Sequence, residues 1–109
     1  MTGNSNSTST TSAPAILPAD TSHDLIDTTV GGLLAQQAEA HPDRLALIGT
    51  SVDGTSVRLT YRELYDEACR VATGLARITS PGDYVALWSP NHVEWPLIEY
   101  GAALAGVTL

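Results

Sequence analysis

The chain has 109 residues, with twelve acidic and five basic side chains and a formal net charge of -7. This length allows at most one small domain. The charge argues against proteins that bind nucleic acid or an anionic membrane surface, because both replace counterions with lysine and arginine. The single cysteine, Cys69, cannot form an internal disulfide, which is usual for proteins of a reducing compartment.

Residues 1–28 are rich in Ser and Thr and contain few side chains that could anchor a core. This composition predicts a disordered, solvated tail. The segment lacks the basic start and apolar run of a signal peptide, and no arginine precedes Arg44, as a transit peptide would require. The most apolar stretch of the chain, residues 97–105, is too short for a transmembrane segment. We therefore expect a cytoplasmic protein.

A helix and a hairpin are predicted at the start of the folded part. Thr29 is a candidate N-cap, and His41-Pro42 stops the helix. Residues 45–48 then have the pattern of a short strand, Asp53-Gly54 supplies a turn, and residues 56–59 return as the second strand. The apolar side chains at helical spacing in the first helix are Val30, Leu33, Leu34 and Ala38.

Residues 60–78 form the clearest predicted helix. Thr60 and Glu63 have the spacing of a capping box, in which each side chain satisfies a free backbone N–H of the other residue. Ser80-Pro81-Gly82 ends the helix. One face of this helix is apolar, with Leu64, Ala68, Val71, Ala72 and Leu75, and charged side chains remain in water, namely Arg62, Asp66, Arg70 and Arg77.

The end of the chain has the pattern of a strand–helix–strand unit. Residues 83–88 are nearly continuously apolar, which predicts a parallel strand covered on both faces. A helix, apolar nearly all round, begins near Asn91 with Glu94 as its capping partner, or nearer Glu94, because Pro96 would remove a helical hydrogen bond. Residues 107–109 are expected to run parallel to the 83–88 strand.

Motifs in this order resemble the adenylate-forming (AMP-binding) enzymes. Residues 59–64 (LTYREL) are similar to the first core motif of that family, and residues 81–87 (PGDYVAL) to its P-G-D-x-V-A-L. Residues 103–107 (ALAGV) resemble the start of the second core motif. Residues 89–91 (SPN), followed by Glu94-Trp95, favour the acyl-CoA synthetase or fatty-acid–CoA ligase branch over peptide-synthetase adenylation domains.

The resemblance implies an α/β fold, with these residues forming an incomplete N-terminal portion of it. That portion would consist of the β-hairpin plus the start of a doubly wound parallel sheet with flanking helices. Residues 1–28 are then a tail, and residues 29–109 are a truncated N-terminal segment of the ligase domain. The family activates a carboxylate as an acyl-adenylate and then forms a thioester, so a role in fatty acid and lipid metabolism is implied. The full-length family uses ATP, Mg2+ and CoA.

No catalytic, cofactor-binding or metal-binding residue is assigned to this chain. The family's phosphate loop and catalytic lysine have no counterpart here, because the chain contains no lysine and no glycine-rich loop after a strand. We therefore expect that this segment binds no cofactor and is not catalytic alone, and whether the chain itself is an enzyme stays open. Scaffold motifs do not specify the acid, its chain length, the thiol acceptor or the oligomeric state.

His92 is the most interesting of the candidate functional residues. It lies at the carboxyl end of the predicted 83–88 strand, where open α/β sheets bind ligands. No Cys, Asp or Ser of a known catalytic motif accompanies His92, so a structural role is favoured for it. Trp88 and Trp95 are interpreted as packing residues, with an apolar wall for an acyl chain as the alternative. The remaining candidates are interpreted as solvent-exposed, capping or filler residues, namely His23, His41, Cys69 and Asn91.

The partners expected for this chain follow from how little sheet it contains. One complete parallel strand, a stub and a hairpin cannot enclose an apolar helix. We expect the isolated chain to be poorly folded, to associate with itself, or to depend on the missing remainder of the ligase. The alternatives are a docking half of a split ligase, a non-enzymatic interaction module and, within the family, a peptide-synthetase or aryl-acid adenylation domain.

Overall fold

The computed structural model describes residue 3 and residues 12–109. Its helices and strands follow the order α1 (Val30–Ala40), β1 (Leu45–Thr50), β2 (Ser56–Thr60), α2 (Tyr61–Leu75) and α3 (Glu94–Ala105). The predicted α/β class is confirmed. The predicted tail lies partly outside the described residues, and its described part, residues 12–28, is exposed and forms no helix or strand.

The predicted first helix is confirmed as α1, and Thr29 caps it. The Thr29 hydroxyl accepts a hydrogen bond from the backbone N–H of Gly32 at 3.0 Å, which satisfies one of the free donors of the first turn. The helix ends before Pro42, which cannot continue it. Its buried face carries Gly31, Leu34 and Ala38.

The predicted hairpin is confirmed as β1 and β2, which pair antiparallel. One irregularity of register lies between Leu45 and Leu47. Asp53 closes the turn, because its carboxylate accepts from the backbone N–H of Thr55 at 2.9 Å and from the Thr55 hydroxyl at 2.6 Å. A local side chain therefore holds a loop that exceeds the two residues of an ideal hairpin turn.

The capping box predicted at the start of α2 is confirmed. The Thr60 hydroxyl accepts from the Glu63 N–H at 3.2 Å, and the Glu63 carboxylate accepts from the Thr60 N–H at 2.8 Å. The helix ends at Leu75, three residues before the predicted Ile78. The Leu75 carbonyl accepts from the N–H and hydroxyl of Thr79, which closes the end. The core formed around this helix contains the buried residues Leu34, Leu64 and Ala68.

Small residues allow α3 to pack closely against α2. Gly101 and Ala102 are the buried residues of α3. A Cβ atom added at Gly101 would lie 2.6 Å from the Cβ atom of Val71 on α2, closer than carbon atoms approach without repulsion. This contact forms one side of the core, but most other α3 side chains are only half-buried, which agrees with the expectation that the sheet within the described residues cannot enclose this helix.

The start of α3 differs from the prediction near Asn91. The helix begins at Glu94, its N-cap residue is Val93, and no side chain caps it, which confirms the alternative start. Pro96 therefore lies in the first turn, where its missing N–H removes no helical hydrogen bond. The helix ends at Ala105, and the C-cap residue Gly106 has a φ of 71°, the left-handed conformation usual after a helix.

The prediction that residues 83–88 form a strand buried on both faces is wrong. This segment makes one parallel bridge, between Tyr84 and Thr108. The Val85 N–H donates to the Thr108 carbonyl and the Thr108 N–H donates to the Asp83 carbonyl, both at 2.8 Å. The predicted parallel neighbour at residues 107–109 is therefore confirmed. Burial on both faces requires layers on both sides of a sheet, and the described residues supply only one.

Candidate functional site

The tip of the hairpin meets the loop that precedes α3. The Val93 N–H donates to the carbonyl of Thr50, the last residue of β1, at 3.1 Å. This bond joins segments that are far apart in sequence, because β1 ends before the turn and the loop follows residues 83–88. Between them lies a cavity of about 270 Å³, and its walls are formed by Leu47, Ile48, Gly49, Thr50, Asn91, His92, Val93 and Pro96.

The side chain of Glu94 accepts hydrogen bonds at the same junction. One carboxylate oxygen, Oε1, accepts from the Ser51 hydroxyl and from the Val52 N–H, the latter at 3.2 Å. The second oxygen, Oε2, is covered and makes no hydrogen bond within the described part of the chain. The Ser51 hydroxyl, and to a lesser extent the Val52 N–H and the nearby His92, lower the pKa of Glu94, while its desolvation acts in the opposite direction.

The predicted capping pair of Asn91 and Glu94 is wrong. The Glu94 carboxylate accepts a hydrogen bond from Ser51 in the hairpin turn instead, and Asn91 lies outside the helix on the cavity wall. Sequence reasoning missed Ser51 entirely, since it is separated from Glu94 by 43 residues and belongs to no motif. Periodicity and capping patterns report neighbours in sequence, so no local signal could have found this pair.

The structure places His92 on the wall of the cavity, partly buried. Its backbone N–H donates to the Pro90 carbonyl at 2.9 Å, and the hydrogen bonds of the described residues include none from its imidazole. His23 is exposed and distant in sequence, His41 follows α1 as its C-cap, and Cys69 is half-buried within α2. These residues are not brought together, and a structural role for each stays a prediction.

Residues 83–88 expose one face, which we call the aromatic face and define as Tyr84, Ala86 and Trp88. Tyr84 is 84% exposed and Trp88 is 101% exposed. The residues between them, Val85 and Leu87, are half-buried, as expected for an extended segment whose side chains alternate between two faces. Large exposed apolar side chains on one face mark interaction surfaces in proteins.

The tryptophans therefore differ in environment. The packing role predicted for Trp88 is wrong for the described residues, because its side chain contacts solvent. Trp95 agrees with the prediction, since it is half-buried and its indole N–H donates to the Ser89 carbonyl at 3.1 Å. The difference arises because Trp95 lies in the first turn of α3, which packs on the rest of the molecule, whereas Trp88 projects from the opposite side of the extended segment.

The described residues do not fit an ATP–magnesium site. Such a site needs several oxygen ligands together and cationic groups near the phosphates. In residues 12–109 no three His, Cys, Asp or Glu side chains are grouped so that they could hold a metal ion. Lysine is absent from the whole sequence.

No helix within the described ranges is long and apolar enough to cross a membrane.

Comparison with known proteins gives consistent matches over the folded part. The family described as AMP-binding enzyme matches residues 34–109. The mouse mitochondrial medium-chain acyl-CoA ligase ACSF2 is 37% identical over 86 residues, which cover 78% of this chain and 14% of that protein. The human ACSF2 ligase is 38% identical over 82 residues, 74% of this chain and 13% of the relative.

Solved structures show the same likeness in three dimensions. The N-terminal domain of FACL13 from Mycobacterium tuberculosis has a TM-score of 0.64 and 36% identity, and the match covers 73% of this chain and 20% of that one. A fatty acyl CoA synthetase from the same organism has a TM-score of 0.61 and 38% identity over 72% of this chain and 15% of the other. The chain thus spans about a seventh of the length of the curated relatives it matches.

Proposed function

The chain belongs to the AMP-binding enzyme family, and from that membership we propose that it supplies N-terminal scaffold to an ATP-dependent acyl-CoA synthetase. The observation that carries this proposal is the match over residues 34–109, together with relatives that are named acyl-CoA ligases. The whole ligase would activate a fatty acid as an acyl-adenylate and transfer the acyl group to CoA, with ATP and Mg2+ as cofactors.

The contribution of this chain is architectural. Its described residues do not fit the ATP–magnesium site, so no chemical step is assigned to them. They provide instead a capped helix pair, a hairpin and the Tyr84–Thr108 bridge, which can be extended by further parallel strands. In this proposal residues 29–109 form the N-terminal segment of the ligase domain, and residues 1–28 form a tail ahead of it.

The aromatic face is the surface on which the rest of the ligase would pack. Tyr84 and Trp88 lie on a segment that is already paired in parallel with Thr108, and parallel sheets are covered on both faces in folded proteins. Without that cover, the same face supports the proposal that the isolated chain associates with itself. The polypeptide that supplies the cover can be continuous with this chain or separately encoded, as in a split ligase.

A chimera tests the scaffold proposal directly. Residues 29–109 replace the matching segment of the mouse medium-chain ligase ACSF2, and AMP release is measured with ATP, CoA and a medium-chain fatty acid. We expect activity within about tenfold of the parent enzyme, because a segment that only supports the fold contributes little to differential transition-state binding. The isolated chain, assayed in parallel, is expected to release no AMP.

A matched pair of substitutions in this chimera tests whether its activity depends on the aromatic face. Trp88→Asp places a charge on the aromatic face and is expected to abolish soluble active enzyme. Ile78→Asp alters a side chain that is also exposed, at 81%, but lies outside this face, and it is expected to leave the enzyme soluble and active. A folded but inactive unmodified chimera would refute the proposal. Activity of the isolated chain with ATP and a fatty acid would refute the purely architectural role.

The acyl acceptor distinguishes the alternatives within the family. The relatives named above are acyl-CoA ligases, which supports CoA as the thiol rather than a carrier-protein thiol or a peptide-synthetase role. The acceptor is a property of the whole ligase to which this segment belongs, and such a ligase that forms acyl-AMP but no acyl-CoA would favour the peptide-synthetase or aryl-acid alternative. A cytoplasmic location stays a proposal, and the ACSF2 relatives, by contrast, are named mitochondrial.

A further inference from the structure

Two walls that are distant in sequence enclose the cavity beside β1. One wall is the end of β1, residues 47–50, and the other is the loop before α3 with Pro96. Hydrogen bonds join these walls at one end of the cavity. There Val93 bonds Thr50, and Glu94 bonds the turn after β1. The relative position of the walls therefore depends on this small group of hydrogen bonds and on the buried side chain of Val93, which lies close to Gly49 of β1.

We propose that Glu94 is a latch, which holds the hairpin tip against the start of α3 and thereby holds the two walls of the cavity beside β1 together. The Ser51 hydroxyl and the Val52 N–H donate to the same oxygen of Glu94, so the loss of its charge weakens both bonds together. The Val93 N–H is adjacent in sequence to Glu94, and its bond to Thr50 opens when the latch releases.

Geometry makes this a latch rather than a part of the core. Glu94 is half-buried, and the core cluster of Leu34, Leu64 and Ala68 lies on α1 and α2. The neighbouring Val93 is buried but does not belong to that cluster. A carboxylate that bridges a turn and a helix end can be released without unfolding the helices, because the released groups can bond to water. Release would widen the gap between β1 and the loop that carries His92.

The latch responds to acid. The hydrogen bond from the Ser51 hydroxyl favours the ionised carboxylate and lowers the pKa of Glu94 below its ordinary value of 4.5. A lowered pKa means that the contribution of Glu94 is complete above pH 4.5 and is lost as the pH falls through the lower, folded-state pKa. The titratable groups of the joined segments are Asp53 in the hairpin turn and His92 in the loop, and the next on α3 is the exposed Glu99.

Hydrogen exchange of the full chain tests the latch. Protection factors, which correct for the intrinsic effect of pH on exchange, are measured at the Val52 and Val93 amides between neutral pH and below 4.5. Both amides are expected to lose protection together as the pH falls, by about tenfold or more. The Val52 N–H loses its charged acceptor, and the bond from the Val93 N–H to the neutral Thr50 carbonyl opens with it. Ala68 in the core reports on global folding and is expected to keep its protection.

Variants identify Glu94 as the responsible group. Glu94→Gln keeps the size and one acceptor oxygen but not the charge, so its Val52 and Val93 amides should be weakly protected at neutral pH and show no acid step. Ser51→Ala, which leaves α3 untouched, should weaken the same amides and covers the case in which the first variant does not fold. Asp53→Asn is the control, because Asp53 bonds Thr55 and not Glu94.

Several results would overturn the latch. Unchanged protection at Val52 and Val93 in Glu94→Gln would show that the carboxylate does not hold the junction. Loss at Val52 without loss at Val93 would show that the two bonds are not coupled. Parallel loss at Ala68, or no protection there at neutral pH, would show that the acid effect is global unfolding. If the loss of protection with falling pH changes in Asp53→Asn, the titrating group is Asp53 and not Glu94.

Discussion

At the scale of single residues, Gly101 decides how closely α2 and α3 approach. Its missing side chain leaves room for Val71, and a Cβ atom at this position would lie 2.6 Å from the Cβ of that valine. Gly74 is also helical, but a Cβ atom added there would have no atom of another part of the molecule within 4 Å. The two glycines therefore differ in packing although both cost the helix conformational entropy.

Gly101→Ala and Gly74→Ala are predicted to change stability in opposite directions. The first overfills the α2–α3 contact and should lower the free energy of unfolding by about 1–3 kcal/mol. The second removes unfolded-state freedom from an open helical position and should raise it by up to about 1 kcal/mol. Denaturant titrations of both variants measure the difference, and equal effects would contradict the packing role of Gly101.

At the scale of secondary-structure elements, α2 is the best-defined unit of the chain. Its start is fixed by the reciprocal bonds of Thr60 and Glu63, and its apolar face contributes Leu64 and Ala68 to the core. Because β2 ends at Thr60, the same residue terminates the hairpin and begins the helix. The position of the hairpin on α2 therefore depends on this cap.

Thr60→Ala is predicted to lower the free energy of unfolding by about 1 kcal/mol, the usual value for loss of an N-cap side chain. Thr73→Ala is the matched control, since Thr73 is exposed on the same helix and its hydroxyl bonds only the Cys69 carbonyl. That substitution should be neutral or slightly stabilising, because alanine is the better helix former. Thermal melts followed by circular dichroism measure both, and equal losses would refute the cap.

At the scale of the whole molecule, one side of residues 83–88 remains open. The exposed Tyr84 and Trp88 lie beside a parallel bridge whose outer edges have no further strand within residues 12–109. Exposed apolar faces and free strand edges are the features by which proteins associate. This openness is consistent with a chain that spans 14% of its mouse relative.

The isolated chain is predicted to associate in a concentration-dependent manner, as measured by sedimentation velocity. Tyr84→Lys combined with Trp88→Lys should shift it towards monomer, because charges on the aromatic face oppose burial. Ile78→Lys, at a position 81% exposed but outside that face, is the control and should leave association unchanged. A monomer at every concentration with a cooperative melt would contradict this prediction.

Patterns between near neighbours were readable from the sequence. The Thr29 cap, the Thr60–Glu63 capping box and the hairpin turn at Asp53 each involve residues within a few positions of one another, and all three are present. The family motifs were likewise readable, since they are runs of residues, and the match over residues 34–109 agrees with them. Local hydrogen bonding and periodicity determine such features before any tertiary contact forms.

The tertiary structure alone decided the features that depend on distant residues. An apolar run at residues 83–88 indicated burial on both faces, yet burial depends on which layers are present, and Trp88 is exposed. Glu94 had the spacing of a cap for Asn91, but a hydroxyl 43 positions earlier is its partner. Side-chain pattern specifies what a residue can contact, whereas the tertiary placement of the start of α3 beside the hairpin turn determines what Glu94 does contact.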